Sequence, residues 1–111
     1  VWTVKPNHPI AAGIPETFVL DPEEMYGEAF DIPEPNEVVF MGWFNGGEVF
    51  RSGCTFVRGN GKIFYFQPGH ETNESFKNEY VRKIIKNAVH WACPISKNIE
   101  LLCPRFEALE V

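Results

Sequence analysis

Hydrophobic and polar positions change period along this chain, and each change marks a different kind of element. Residues 1–5, Val-Trp-Thr-Val-Lys, alternate as a short strand does, and the three prolines and one glycine of "PNHPIAAGIP" then break it. "ETFVLD" reads as a second extended segment. The stretch "PEEMYGEAFDIPEPNE" is interrupted by prolines and rich in carboxylates, which predicts an ordered loop with one helical turn near Glu23–Tyr26. Loops of this length are functional or disordered, and Met25, Tyr26, Phe30 and Ile32 favour an ordered, functional one. Three strands follow: "EVVFMGWF" and "EVFRSGCTFVRG" flank the turn signature Asn-Gly-Gly, and "RGNGK" turns the chain into "KIFYF". Residues 63–66 are an almost unbroken apolar run, which predicts a central strand covered on both faces. From Ser75 to Ala92 the period lengthens: Phe76, Tyr80, Val81, Ile84, Ile85, Ala88, Val89 and Ala92 recur at three- and four-residue spacing with cations between them. That is an amphipathic helix, with Asn73 or Ser75 as its cap and Pro94 at its end. Residues 95–111 read as an extension or arm, with an extended piece at "IELLC".

Composition removes several function classes. A chain of 111 residues suffices for one small core, and its aromatic content is that of a packed protein. The net charge of −5 argues against a nucleic-acid surface, which needs excess Lys and Arg. No apolar run approaches the roughly 18 residues that a membrane helix requires, and the start lacks the pattern of a signal peptide, so the expected setting is the cytoplasm without membrane contact. Cys54, Cys93 and Cys103 are odd in number and form no close pair, which fits reduced thiols better than a disulfide framework. Cys54 lies inside a strand pattern with no histidine near it in sequence, so a packed thiol is the simpler reading.

Candidate chemistry concentrates at "KIFYFQPGHET", a strand, a glycine-bearing turn and a helix start. Ligands in open α/β sheets sit at the carboxyl ends of strands, where loops converge. His70 occupies that place, and an imidazole there can transfer protons or ligate a metal, with Glu71 as its partner. The plainer alternative is that His70 ties the turn together and Glu71 favours the helix dipole. His90 reads as a helix-flank histidine. His8 sits in a turn held by Pro6 and Pro9, and on its own reads as a turn residue. Together with His70 and one of Glu23, Glu24 and Glu28, it could complete the two-histidine, one-carboxylate set that zinc or another divalent ion accepts.

Three segments in order, "HPIAAGIP", "EEMYGEAFDIPEPNEVVFMGWFNGGEVFRSGCTF" and "GNGKIFYFQPGHET", resemble the ThuA-like trehalose utilisation proteins. The resemblance covers residues 1–94 and corresponds to the C-terminal half of that family, so the chain is expected to be part of a longer protein. It implies an α/β fold, the C-terminal part of a flavodoxin-like, class I glutamine amidotransferase-like three-layer sandwich. It also implies action on trehalose-type sugars or keto-glycosides, with His70 as general base or ligand beside Glu71. His8, Glu24 and His70 would be the metal ligands, Tyr26 and Arg51 would hold sugar hydroxyls, and a homo-oligomer is admitted. Amidotransferases place a glutamate two residues after the histidine, where this chain has Thr72, so glutamine hydrolysis is not expected. The rival from another class is a non-catalytic sugar-binding or interaction module of the same shape.

Overall fold

A computed structural model describes residues 1–95. Among these residues four strands, β1 (Trp2–Thr3), β2 (Glu37–Trp43), β3 (Val49–Arg58) and β4 (Gly61–Phe66), form one sheet in the order β1-β2-β3-β4, and one α-helix, α1 (Glu79–Ala92), packs on it. Every pairing is antiparallel. The protein is therefore a small α/β structure, and the two hairpins legible in the turn residues are its centre. The β3–β4 hairpin closes in continuous register from Gly53 opposite Phe66 to Arg58 opposite Gly61. Between β2 and β3 the register slips twice, between Val38 and Phe40 and again between Phe40 and Gly42. Such irregularities re-aim side chains. Here Val39 and Phe40, neighbours in sequence, are both fully buried.

The expectation for residues 63–66 needs correction. The strand forms, but β4 ends the described sheet as an edge strand, paired only with β3, and Ile63 is exposed. An apolar run reports that a strand is covered; it does not report which strand pairs with it or in which direction.

The core lies between one sheet face, the 3-10 turn Pro9–Ala11 and α1. Ile10, Ala11, Phe18, Val39, Phe40, Val81 and Ile84 are its buried members. Phe40 lies against Gly53, where an added Cβ would come within 2.6 Å of its ring, so the absence of a side chain on β3 is what lets the phenyl cross the strand. The helix is capped by Asn78, whose carboxamide oxygen accepts from the N–H groups of Tyr80 and Val81, five or three residues after the expected caps Asn73 and Ser75. Ser75–Lys77 form a separate 3-10 turn. The apolar stripe of α1 is wider than the core it covers: Val81 and Ile84 are buried, whereas Ile85 and Val89 are exposed.

Residues 19–36 contain no helix or strand, and the helical turn expected near Glu23–Tyr26 does not form. Of the first two extended segments only Trp2–Thr3 becomes a strand; Thr17 makes an isolated bridge to Trp2.

Candidate functional site

The loop after Leu20 is held to the sheet by aromatic contacts and one ion pair. Tyr26 and Phe30 pack on Phe50 of β3, with ring centroids 5.6 and 5.3 Å apart, and Phe30 also meets Tyr65 of β4 at 5.9 Å. Arg51 binds both carboxylate oxygens of Glu28, at 2.8 and 3.0 Å, and also donates to the carbonyl of Phe30. Such a forked pair is the strong form of a charge-assisted hydrogen bond. The guanidinium holds the Glu28 carboxyl down at about 2. The donors of Arg51, expected to face a sugar, are thus directed at Glu28 and Phe30, and the residue anchors the loop.

A second clamp ties the loop to the turn after β4. The Glu23 carboxylate accepts from the Gly69 N–H at 3.2 Å, from the Asn73 carboxamide at 3.3 Å and from the buried Ser75 hydroxyl. Partial burial pushes its pKa up, but the hydrogen bonds from Ser75, backbone N–H groups and Asn73 outweigh this, so Glu23 stays ionised below the ordinary carboxylate value. Gly69 has a φ of +129°, and a Cβ there would come within 2.5 Å of the Phe76 ring. Only glycine fits that corner. Gln67 adds a third tie, donating through Nε2 to the Glu24 carbonyl at 3.0 Å.

These ties fix the surroundings of His70. Its Nδ1 lies 2.7 Å from the Thr72 hydroxyl and accepts from the Thr72 backbone N–H at 3.3 Å. A backbone N–H can only donate, so the neutral ring carries its proton on Nε2. Nε2 faces two carboxylates, Glu71 at 3.5 Å and Glu24 at 3.9 Å. Glu71 is 86% exposed, while Glu24 is 45% exposed and accepts from the Tyr26 hydroxyl at 3.3 Å. The negative charge of Glu24 raises the Tyr26 pKa and keeps the phenol protonated. Glu24, Tyr26, His70 and Thr72 therefore form one connected, solvent-reachable group that can donate and accept protons.

The pattern of the trehalose utilisation family, ThuA, matches residues 1–92. The chain belongs to the ThuA family. No curated protein matches it.

Family membership points to a role in trehalose utilisation, and the residues expected to serve it are unevenly assembled in this ThuA chain. Glu24, Tyr26, His70 and Glu71 are brought together. His8 is not. It is buried, its Nδ1 accepts from the Ile10 N–H at 3.1 Å, its Nε2 lies 3.1 Å from Glu37, and its ring packs on Trp91 at 5.5 Å. Trp91 is near the C-terminal end of α1, whereas the His70 turn precedes the N-terminal end, and a helix of 14 residues runs about 21 Å at about 1.5 Å per residue. The set His8, Glu24 and His70 thus supplies two neighbouring donors, and among the described residues no group of three His, Cys, Asp or Glu could hold a metal ion. Zinc takes at least three protein ligands, and the carboxylates that the described residues bring to His70 are Glu24 and Glu71.

Cys54 is a buried thiol whose pKa is raised by desolvation, and its Sγ approaches the Arg51 carbonyl at 3.8 Å. Cys103 and the extended piece at "IELLC" lie outside the described residues. No described helix is long and apolar enough to cross a membrane.

Sequence reasoning missed Thr72 as the partner of Nδ1, and it named Glu23 only as one of several carboxylates. Thr72 has a local signal, a hydroxyl two residues after a histidine in a turn. Glu23 has none, because its partners lie 46 to 52 positions away.

The placement of His8 has a measurable consequence. Burial lowers its pKa below 6.5, against the opposing pull of Glu37, and Lys5 lowers it further. Protonation would also force Nδ1 to give up the Ile10 N–H. A depressed folded-state pKa means that the unfolded chain binds the proton first. The contribution of His8 to stability is thus complete above 6.5 and is lost as pH falls through 6.5 and the lower folded value. Thermal midpoints measured across this range should fall with pH in the wild-type chain, and His8→Gln should flatten that limb. A slope unchanged by the substitution would locate the titration elsewhere.

Proposed function

We propose that this ThuA chain acts on keto-glycosides by proton transfer next to the carbonyl, with Glu24 as base and His70 as hydrogen-bond donor to the carbonyl oxygen. One observation carries the reading: Thr72 pins Nδ1, so the Nε2–H of His70 points outward beside the Glu24 carboxylate at 3.9 Å. An imidazole held in this tautomer donates on Nε2. The neighbouring carboxylate is the group able to accept. In a keto sugar the C–H bond beside the carbonyl breaks, its proton passes to Glu24, and the electron pair moves onto the carbonyl oxygen, where Nε2–H stabilises the developing charge. Return of that proton to the former carbonyl carbon, while the hydroxyl proton of the neighbouring carbon passes to the former carbonyl oxygen, gives isomerisation; re-formation of the carbonyl with loss of a substituent from the carbon β to it, the leaving group taking up the proton held by Glu24, gives elimination. Tyr26 holds Glu24 in place, and Glu71 offers a second, solvent-facing carboxylate. Each of these proton movements uses side chains of this chain alone.

The same reading includes a larger flavodoxin-like domain around the described elements. What supports it is the apolar groove between β4 and α1, lined by Phe64, Phe66, Phe76, Ile85, Ala88 and Val89, beside the edge of β4 that pairs with no other strand among the described residues.

Solvent exchange tests the chemistry without requiring knowledge of the product. Incubated with a keto-glycoside in D₂O, the full-length protein should introduce deuterium at the carbon next to the carbonyl. If a panel of keto-glycosides binds but none exchanges, the protein is a sugar-binding module and the catalytic reading falls.

A further inference from the structure

Residues 21–35, the segment that carries Glu24 and Tyr26, form a cover over the sheet and not a part of the core. None of them is buried, yet Phe50 and Cys54 of β3 beneath them are. Tyr26 and Phe30 lie on Phe50, Phe30 reaches Tyr65, and Tyr65 is the cross-strand neighbour of Cys54 on the same face. Glu28 is close enough for its charge to act on the Cys54 thiol. Among the described residues, the backbone of this segment makes no backbone hydrogen bond to the sheet. That bonding resumes at Asn36, whose N–H donates to the Thr55 carbonyl at 2.9 Å and whose carboxamide oxygen accepts from the Val57 N–H at 2.8 Å. On the other side Leu20 packs against the core. Pro22, Pro33 and Pro35 stiffen the two ends.

Two groups of polar contacts hold the segment down, one at each end of its span. Beside the His70 turn, the Glu23 carboxylate gathers Gly69, Asn73 and Ser75, and Gln67 holds the Glu24 carbonyl. Over β3, Glu28 takes the guanidinium fork of Arg51 at 2.8 and 3.0 Å and the Arg51 backbone N–H at 3.2 Å. A segment with no buried residue and no ladder hydrogen bond opens at a fraction of the free energy of global unfolding. We infer that residues 21–35 form a strap, hinged at Leu20 and Asn36, that lifts from the sheet in one piece, and that Arg51 is a positioning residue which closes it through Glu28 and so brings Glu24 to His70. Glu24 and Tyr26 travel with the strap, whereas His70 and Thr72 stay on the turn after β4. Lifted, the strap leaves the site in two halves with a way in; closed, it assembles them. The inference rests on the proton-transfer reading for what the closed site does, and the opening itself is independent of it.

N-ethylmaleimide, a neutral thiol reagent, reads the opening without any substrate. Added to the full-length protein, with products located by peptide mass, it should label Cys54 slowly in the wild type and the exposed Cys93 quickly. Arg51→Gln should speed Cys54 labelling by about tenfold, the scale of one charge-assisted hydrogen bond. Glu23→Gln is the decisive variant: its clamp lies at the other end of the strap, so a strap that moves in one piece should expose Cys54 several-fold faster there as well. Urea well below the unfolding midpoint should change these rates little, because lifting a strap exposes far less surface than global unfolding. Arg51→Glu, which sets like charge against Glu28, should hold the strap open, label Cys54 nearly as fast as Cys93, and lower deuterium introduction into a keto-glycoside by about tenfold or more; adding Glu28→Arg should restore both. Labelling unchanged in Arg51→Gln, faster there but not in Glu23→Gln, or steeply dependent on urea would each overturn the strap. Cys54 exposed in Arg51→Glu with deuterium introduced at the wild-type rate would overturn its part in the site and leave the proton-transfer reading standing. A wild type that introduces no deuterium while every labelling result holds removes that reading and keeps the strap.

Discussion

Replacing His70 with alanine should lower turnover of a keto-glycoside by about 10²- to 10⁴-fold, the usual worth of a positioned acid or base, with little change in thermal midpoint. The side chain is 33% exposed, and among the described residues it hydrogen-bonds Thr72 and faces two carboxylates at 3.5 and 3.9 Å, so its loss leaves the core untouched. Glu24→Gln should reduce turnover on the same scale, because an amide keeps the shape and the contact with Tyr26 but cannot take a proton. The double variant should be little worse than either single one, as expected for two groups acting as a unit. Thr72→Val is the more discriminating change. It removes the hydroxyl contact but keeps the backbone N–H on Nδ1, so the outward Nε2 proton persists and activity should fall far less than in His70→Ala. Equal losses in Thr72→Val and His70→Ala would show that the hydroxyl itself carries the chemistry. Activity losses that track lost stability in all the variants would reduce His70 to a turn residue.

What could be read from the chain divides along physical lines. β2, β3, β4 and α1 were legible because their signals are local: alternation or apolar runs bounded by glycine turns, then a three- and four-residue period. The partners of β4 were not legible, since a run such as Ile63–Phe66 carries no information on neighbour or direction, and it proved to be an antiparallel edge. His70 was found from its position after a strand and before a helix. His8 looked equivalent, framed by prolines, but nothing in a sequence states at which end of a helix a distant turn will pack, and His8 went to Trp91 and Glu37. Arg51 illustrates the same limit: its type suits a sugar, yet Glu28, 23 positions away, takes its fork. Even the fit of Glu24 to His70 rests on Glu23 beside it, which no spacing rule singles out.

Glu23 should accordingly be the most damaging single carboxylate to remove. Glu23→Ala would leave the Gly69 N–H, the Asn73 carboxamide and the Ser75 hydroxyl without their acceptor, and each unmet buried or half-buried donor costs on the order of 1–3 kcal/mol. Water can reach part of this partly exposed site, so the net loss should stay near the size of one such term, about 1–3 kcal/mol, seen as a lower denaturation midpoint. Turnover should fall too, because the turn carrying His70 and the loop carrying Glu24 would no longer be joined. The split between the two effects identifies the role. A positioning residue lowers kcat more than it raises KM and shifts the midpoint as well, whereas His70→Ala changes kcat alone. Acid adds an independent check. The folded-state pKa of Glu23 lies below its ordinary value, so its contribution to stability is complete above 4.5 and is lost as pH falls through 4.5 and the folded value. Glu23→Gln removes that titration but presents one amide group where two oxygens accepted, so it should be less stable than wild type at neutral pH and approach it in acid. Variant and wild type separated by the same margin at every pH would mean that Glu23 is not the ionised clamp joining the loop to the His70 turn.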